Sequence, residues 1–233
     1  MLCLLSPAKT LRSAAPGSLK CTVPVLATQA TKLVAHCAAL SRPELKKLLG
    51  VSDAINSLNF ERYEGFAAQA PCLCGKMYDG PAYRGLAFES LSVAEVKASA
   101  SRLRILSGLY GLLSPMDEVR PYRLDMGKKL ATGEGRSNLY DFWGDQVTKA
   151  LQAAVVDHSV KFVVNVASKE YFKAVTSEKD SVTQTHCLED VWKLRQAAEG
   201  CVAFLPHLSF RPPIFSLVLR ACLSPASSSS ACL

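Results

Sequence analysis

Hydrophobic positions along the chain follow two patterns, short apolar runs and residues at helical spacing. The mainly apolar runs at residues 1–5, 103–107 and 161–168 predict buried strands, because such runs are typical of strands covered on both faces. Residues 181–188 alternate and predict a further strand, whereas apolar positions recur at helical spacing over residues 28–40. Helices and strands therefore interleave. We expect an α/β fold, or mixed α+β, in a single compact body.

Residues 41–60 predict two helices joined by a very tight turn, inserted into this body. Ser41 and Glu44 have the spacing of a capping box, and Gly50 marks the end of the first helix. The pattern L-x-x-L-L-G-V-S resembles the helix-hairpin-helix of DNA-repair proteins, whose backbone N–H groups bind a phosphate. Ser52 stands where that motif usually has its second glycine. An ordinary structural αα-hairpin is therefore the alternative.

Serines mark the starts of three further helices. Ser92 and Glu95 form a second capping box, and Ser168 caps a short helix after the strand at residues 161–168. Ser137 opens another helix, whose apolar stripe runs over residues 139–151.

The stretch ILSGLYGLLSPMDEVRPYRLDMG, residues 105–127, combines glycines with a cluster of cationic and aromatic residues. Gly108 and Gly111 bracket a turn that needs backbone freedom, at a strand end where α/β folds place ligand sites. We expect this turn to form the floor of a cleft. Arg120, Tyr122 and Arg123 would form its rim together with Lys9, with groups suited to phosphate contact and base stacking.

The alternative for the same residues is structural. Tyr122 would then be buried, and Arg123 would pair with Asp125 or Glu118.

Composition adds constraints on partners and compartment. The 233 residues are 49% hydrophobic, which is enough for a substantial core, and the formal net charge of +7 favours anionic partners. Nine cysteines without a C-x-x-C repeat predict a reducing compartment and structural thiols, including Cys72 and Cys74. The sequence contains no apolar run long enough to span a membrane, so we expect no membrane partner. The basic N-terminus leaves an organelle transit peptide as an alternative.

The C-terminal part differs in composition from the rest. From about residue 196 the chain is rich in Pro, Ser, Cys and Leu and poor in charge, and we expect residues 196–233 to form a separate, partly disordered segment.

The order of the motifs identifies a family. The stretches MLCLLSPAKTL, SDAINSLNFERY, YDGPAYRGL, LRILSGLYGLLSPMDEVRPYRLDMGKKL, NLYDFWGDQVTKAL and VVNVASKEYFKAV resemble successive motifs of the YaaA peroxide stress-response family. The resemblance covers roughly the first four fifths of the chain, and we expect residues 1–195 to form the corresponding domain. It stops after Leu188-Glu189-Asp190, where the family continues into a helix with an A-K-x-A-R-G motif and this chain reads VWKLRQAAEG.

The resemblance implies a cytoplasmic protein that limits oxidative damage, is associated with lower free iron during peroxide stress and binds DNA. It also implies a compact α/β body with a helix-hairpin-helix at about residues 41–60 and a basic cleft. An organelle or the nucleus is the alternative location, and the oligomeric state remains open. The partner we expect is DNA, duplex or distorted, bound without sequence preference. The candidate nucleic-acid-binding residues are Lys9, Lys46, Lys47, Gly50, Ser52, Asp53, Arg104, Tyr110, Arg120, Tyr122 and Arg123.

Two alternatives to a DNA-binding protective protein remain. Lys9, if desolvated among other cations, could attack an aldehydic carbon, which would make the chain an abasic-site lyase or a glycosylase-like enzyme. The other alternative is an iron-sequestering protein. The histidines show no metal-ligand spacing, so we expect neither a metal site nor a cofactor; they are His36, His158, His186 and His207.

Overall fold

The computed structural model describes residues 1–12, 20–133, 135–160 and 163–175, and the backbone of residues 186–187. Its strands are β1 (Leu2–Leu5), β2 (Thr10–Leu11), β3 (Cys72–Leu73), β4 (Tyr78–Asp79), β5 (Leu103–Ser107), β6 (Gly111–Leu113), β7 (Glu118–Val119), β8 (Val163–Asn165) and β9 (His186–Cys187). Its helices are α1 (Ala27–Ala38), α2 (Arg42–Leu49), α3 (Asp53–Glu64), α4 (Cys74–Met77), α5 (Pro81–Leu86), α6 (Val93–Arg102), α7 (Leu139–Trp143), α8 (Gln146–Asp157) and α9 (Lys169–Phe172). The predicted mixed α/β fold is confirmed.

The central sheet has the strand order β6–β5–β1–β8–β9. Strands β1, β5, β8 and β9 are parallel, and β6 returns antiparallel to β5. All residues of β1 are buried, which explains its unbroken apolar sequence. Because these strands are parallel, the carboxyl ends of β1, β5 and β8 meet at one edge of the sheet. Ligand sites of α/β proteins lie at this edge.

The helix boundaries follow the predicted local chemistry. The backbone N–H of Ser41 donates to Glu44 Oε2 at 2.8 Å, and Ser92 makes the equivalent bond to Glu95. Gly50 ends α2 in the left-handed conformation, with φ of +63°, which a residue with a Cβ rarely adopts. These predicted caps are confirmed.

One predicted helix is wrong. The apolar stripe at residues 139–151 suggested a single helix that opens at Ser137, but the chain forms α7 and α8 with a break between them. Asn138 caps α7 instead of Ser137, accepting a bond from the backbone N–H of Asp141 at 3.0 Å. The break occurs at Gly144, whose φ is +49° and ψ is −122°, far from helical values. The apolar residues continue across the break because both helices pack on the same core.

The glycine turn between β5 and β6 is a packing site and not the floor of a cleft. A Cβ on Gly108 would lie 2.2 Å from the carbonyl oxygen of Leu124, so only glycine lets that segment cross the turn. Trp143 covers the turn as well, and its Nε1 donates to the Gly108 carbonyl at 3.1 Å. Gly111 has φ of +70°, and a Cβ at this position would lie 3.0 Å from the same tryptophan ring. The expected ligand floor at Gly108 and Gly111 is therefore corrected.

Cys72 and Cys74 are free and buried, as expected for structural thiols. Burial raises the pKa of Cys72 to about 11 and raises that of Cys74 well above its ordinary value. Both thiols are held in their neutral form.

The predicted strand at residues 181–188 is described only at β9, and the divergent segment 196–233 lies outside the described residues. In the described part of the chain, no helix is long and apolar enough to cross a bilayer.

Candidate functional site

A cleft of about 340 Å³ opens at the carboxyl ends of β1 and β8. One wall is the segment 5–10, which leaves β1, and the other is the segment 79–84, which joins β4 to α5; Val166, after β8, completes the lining. The sequence makes these walls rigid, since Pro7 and Pro81 fix the backbone where each segment leaves its strand. The cleft lies where the topology of the sheet predicts a ligand site.

Two hydrogen bonds to Ser6 hold the first wall in place. Tyr83 is 4% exposed, and its hydroxyl donates to the Ser6 carbonyl at 2.7 Å across the cleft. The backbone N–H of Ser168 donates to Ser6 Oγ at 2.8 Å, which ties the wall to the start of α9. Neither Ser6 nor Tyr83 was among the predicted residues, although both lie within recognised motifs.

A smaller crevice adjoins the cleft, and Lys9 lines both the cleft and the crevice. Lys9, Tyr122 and Arg123 line this crevice, so the structure brings together three residues that the sequence placed on one rim. Asp125 and Tyr171 line it as well, and the Tyr171 hydroxyl donates to Asp125 Oδ1 at 3.3 Å. Lys9 is exposed, so it can reach an anion but is not shielded from water as an activated lysine nucleophile would be.

Tyr110 and Tyr122 are buried, which corrects the expectation that they stack on bases. The Tyr122 hydroxyl lies 2.6 Å from Ser107 Oγ and 2.9 Å from the Tyr78 hydroxyl. Tyr110 packs edge-on against Tyr122, with 5.4 Å between ring centroids, and burial raises its pKa to about 12. The two rings form the core beneath the crevice, as the structural alternative for this stretch foresaw for Tyr122.

The two arginines of this stretch have different surroundings. Arg120 pairs with Glu118 at 3.3 Å, and its backbone N–H donates to the Tyr110 hydroxyl at 3.0 Å. Arg123 is half-buried in the crevice, and its Nε is buried without a hydrogen-bond partner within the described residues. Neither of the acids considered as its partner is engaged with it, since Glu118 binds Arg120 and Asp125 accepts from a tyrosine.

Arg104 lies apart from the cleft. The residue is buried on β5, where its guanidinium contacts the Ala100 carbonyl and donates to the Leu103 carbonyl at 2.8 Å. His158 Nε2 lies 3.1 Å from the same group. Burial lowers the pKa of Arg104. This placement corrects the expectation that Arg104 presents its charge to a nucleic acid.

Lysines also surround the connection between α2 and α3. We call this connection, residues 50–52, the hairpin turn. Ser52 is the N-cap residue of α3, but its side chain makes no capping bond to the first turn. Lys47 is exposed beside the turn, and Lys46 Nζ pairs with Asp53 Oδ1 at 2.7 Å. Asp53 is itself exposed at the start of α3.

Lys128 also lies at the hairpin turn and was missed by the sequence prediction. Its Nζ donates to the Leu49 carbonyl at 2.8 Å, a favourable place for a cation at the carboxyl end of α2. The signal was present, because Lys128 lies in the recognised motif LDMGKKL. The sequence could not show that Lys128, which is 79 positions from Leu49 along the chain, reaches the hairpin turn.

The described residues contain no group of three or more His, Cys, Asp or Glu side chains that could hold a metal ion.

Comparisons with known proteins confirm the resemblance. The family model for the peroxide stress protein YaaA matches residues 1–195. The chain is 42% identical over 178 residues to a UPF0246 protein of Maricaulis maris, covering 75% of this chain and 67% of that protein. UPF0246 proteins of Shewanella pealeana and Polaromonas naphthalenivorans are 41% and 38% identical, covering 77% and 83% of this chain and 71% and 76% of the relatives. The chain therefore belongs to the YaaA family of peroxide stress proteins.

Proposed function

We propose that the chain acts in the peroxide stress response by binding the phosphate backbone of DNA, duplex or distorted, without sequence preference. The observation that carries the proposal is the hairpin turn, where the uncapped start of α3 lies beside Lys46, Lys47 and Lys128. Backbone N–H groups at a helix start and neighbouring cations are the groups that bind phosphate in proteins.

Helix α3 is long enough for this role, and the hairpin turn is exposed. Helix α3 has 12 residues, so its dipole is fully developed, and Gly50, Ser52 and Asp53 are exposed. Asp53 works against an incoming phosphate, because it pairs with Lys46 at the surface. Lys9 and Arg123 provide further cations at the cleft and crevice.

Contacts of this kind position a protein on DNA but do not read sequence. In this proposal the chain shields DNA from oxidants, and free iron is lowered indirectly. A nucleophilic role for Lys9 has weaker support because the residue is exposed.

Binding to short duplexes of two unrelated sequences, measured by fluorescence anisotropy at several salt concentrations, tests the proposal. We expect equal affinities for the two sequences and a slope of about −0.9 in log K against log salt for each neutralised phosphate. The double variant Lys46→Gln/Lys47→Gln should make the slope shallower by about 0.9, because Asp53 already holds Lys46 in the wild type. Lys97→Gln removes an exposed lysine of α6 and should leave the slope unchanged.

Binding that is absent at low salt in a folded protein, or that does not depend on salt, would refute the proposal. Borohydride treatment with abasic DNA separates binding from chemistry, because only a lysine imine is trapped as a covalent adduct. We expect no adduct at Lys9.

A further inference from the structure

The cleft has a shape and chemistry that the phosphate contacts at the hairpin turn do not explain. Its volume of about 340 Å³ lies at the small end of the range for ligand pockets, roughly 300–1,000 Å³. A pocket of this size suits one small ligand and not a length of DNA backbone. Pro7, Pro81, Ala82 and Val166 give it apolar surface of the kind that covers a planar ring.

Close contacts between the two walls maintain the shape of the cleft. A Cβ on Gly80 would lie 3.1 Å from the Cβ of Ala8, so the two walls approach as closely as their side chains permit. The bond from the Tyr83 hydroxyl to the Ser6 carbonyl joins the same walls. A preformed cleft costs little conformational entropy when a ligand enters.

The polar groups of the cleft have both signs of charge. Lys9 and Arg84 are exposed cations, and Arg84 Nε lies 3.0 Å from Asp79 Oδ1. Arg12 also approaches Asp79 Oδ1, at 3.7 Å. A carboxylate has two oxygens, so Asp79 can still accept a hydrogen bond from a ligand. Cations, an acceptor and apolar walls together match a ligand that has an anionic group, hydrogen-bond donors and a flat apolar ring.

We propose that this cleft binds a single nucleotide, supplied either as an unpaired nucleotide of bound DNA or as a free mononucleotide. Lys9 contacts the phosphate, Asp79 accepts from the base or sugar, and Pro7 and Ala82 pack against the base. Unpaired nucleotides leave the stack at low cost, which lets a protein hold them in a pocket. The DNA form of this inference rests on the proposed DNA binding, whereas the mononucleotide form does not.

Calorimetric titration of the full chain with deoxycytidine monophosphate, deoxycytidine and inorganic phosphate tests the cleft without DNA. We expect the mononucleotide to bind at least about tenfold more tightly than either part, since both the phosphate and the ring contribute. Equal binding of inorganic phosphate would reveal a simple anion site and overturn the inference. The absence of mononucleotide binding would overturn it as well.

A duplex with one unpaired 2-aminopurine tests the DNA form. Its fluorescence should change on binding, and free deoxycytidine monophosphate should reverse that change while the anisotropy still reports bound DNA. The same base in a fully paired duplex should give no change. A response that is the same for paired and unpaired probes would overturn the DNA form.

Variants connect both measurements to the cleft. Ala82→Phe fills it and should abolish mononucleotide binding and the 2-aminopurine response, with duplex affinity within about twofold of wild type. Lys9→Gln changes an exposed side chain, so it retains the fold and should weaken mononucleotide binding about tenfold. Lys97→Gln should match wild type. Wild-type behaviour of both cleft variants would refute the inference.

The two proposals can fail separately. Salt-dependent duplex binding without a nucleotide response would leave the proposed function and refute the cleft. Mononucleotide binding without duplex binding would refute the proposed function and retain the cleft as a nucleotide site.

Discussion

Asp53→Asn should tighten DNA binding, because Asp53 is the only acid among the residues assigned to the hairpin turn and competes with phosphate for Lys46. The Asp53 carboxylate lies 2.7 Å from Lys46 Nζ, with side-chain exposures of 85% and 43%. An exposed pair of this kind contributes at most about 1 kcal/mol to folding, and an acid at a helix start contributes about 0.3–1 kcal/mol. The variant should therefore fold, with a free energy of unfolding lowered by no more than about 1–2 kcal/mol.

The effect on binding is larger than the effect on stability. Without its partner, Lys46 is available to neutralise one additional phosphate and release one additional counterion. The slope of log K against log salt should then steepen by about 0.9, which at about 0.1 M salt corresponds to roughly eightfold tighter binding. The gain should shrink as salt rises, because it arises from counterion release.

Anisotropy titrations of a short duplex at several salt concentrations measure both quantities. Glu61→Gln is the matched control, since it removes an equal charge from an exposed position further along α3. A general effect of net charge would strengthen binding equally in both variants, whereas the proposed site requires the change in slope only for Asp53→Asn. Equal effects of the two variants, or an unchanged slope for Asp53→Asn, would contradict the assignment of the hairpin turn.

Three further outcomes concern the fold. Gly108→Ala should lower the free energy of unfolding by about 3 kcal/mol or more in urea unfolding, because its Cβ would meet backbone at 2.2 Å. Gly133→Ala is the control: its Cβ would have nothing within 4 Å, so it should cost only about 1 kcal/mol for the positive φ. Similar urea midpoints for the two variants would contradict this prediction. Tyr122→Phe should cost about 1–3 kcal/mol by leaving two buried hydroxyls short of a partner, and a neutral result would show that those bonds do not stabilise the fold. Burial raises the pKa of Cys37 from its ordinary 9.0 to about 12. The contribution of the neutral thiol to stability is therefore complete below about pH 9 and should be lost between about pH 9 and 12, at up to about 1.4 kcal/mol per pH unit. Cys37→Ala should reduce this loss of stability with pH, and an unchanged pH dependence would count against the prediction.

Local chemistry made the boundaries of the hairpin predictable. The Ser41–Glu44 cap and the end of α2 at Gly50 depend on contacts within a few residues, so the sequence alone contains the required information. Gly144 was less readable because a single glycine is tolerated within many helices, and only its observed backbone angles show the break.

Contacts between distant residues limited the prediction of the site. Tyr122 and Arg123 are adjacent, and such a pair is equally typical of a nucleic-acid surface and of a core with one polar edge. The structure separates them, with the tyrosine beneath the crevice and the arginine at its border. The Arg104 side chain was equally ambiguous, since its burial depends on carbonyls at the end of α6 and on His158.

The segment 120–128 connects the hairpin turn to the surroundings of the cleft. Tyr63 on α3 is 2% exposed, and its hydroxyl donates to the Arg123 carbonyl at 2.9 Å; Lys128 binds the end of α2. Gly127 N–H donates to Glu170 Oε1 at 2.8 Å, which connects the same segment to α9 beside the cleft. Each of these bonds fixes backbone, so the distance between the two sites varies little. Under the proposed function, a nucleotide held in the cleft would therefore lie at a set distance from a phosphate held at the hairpin turn.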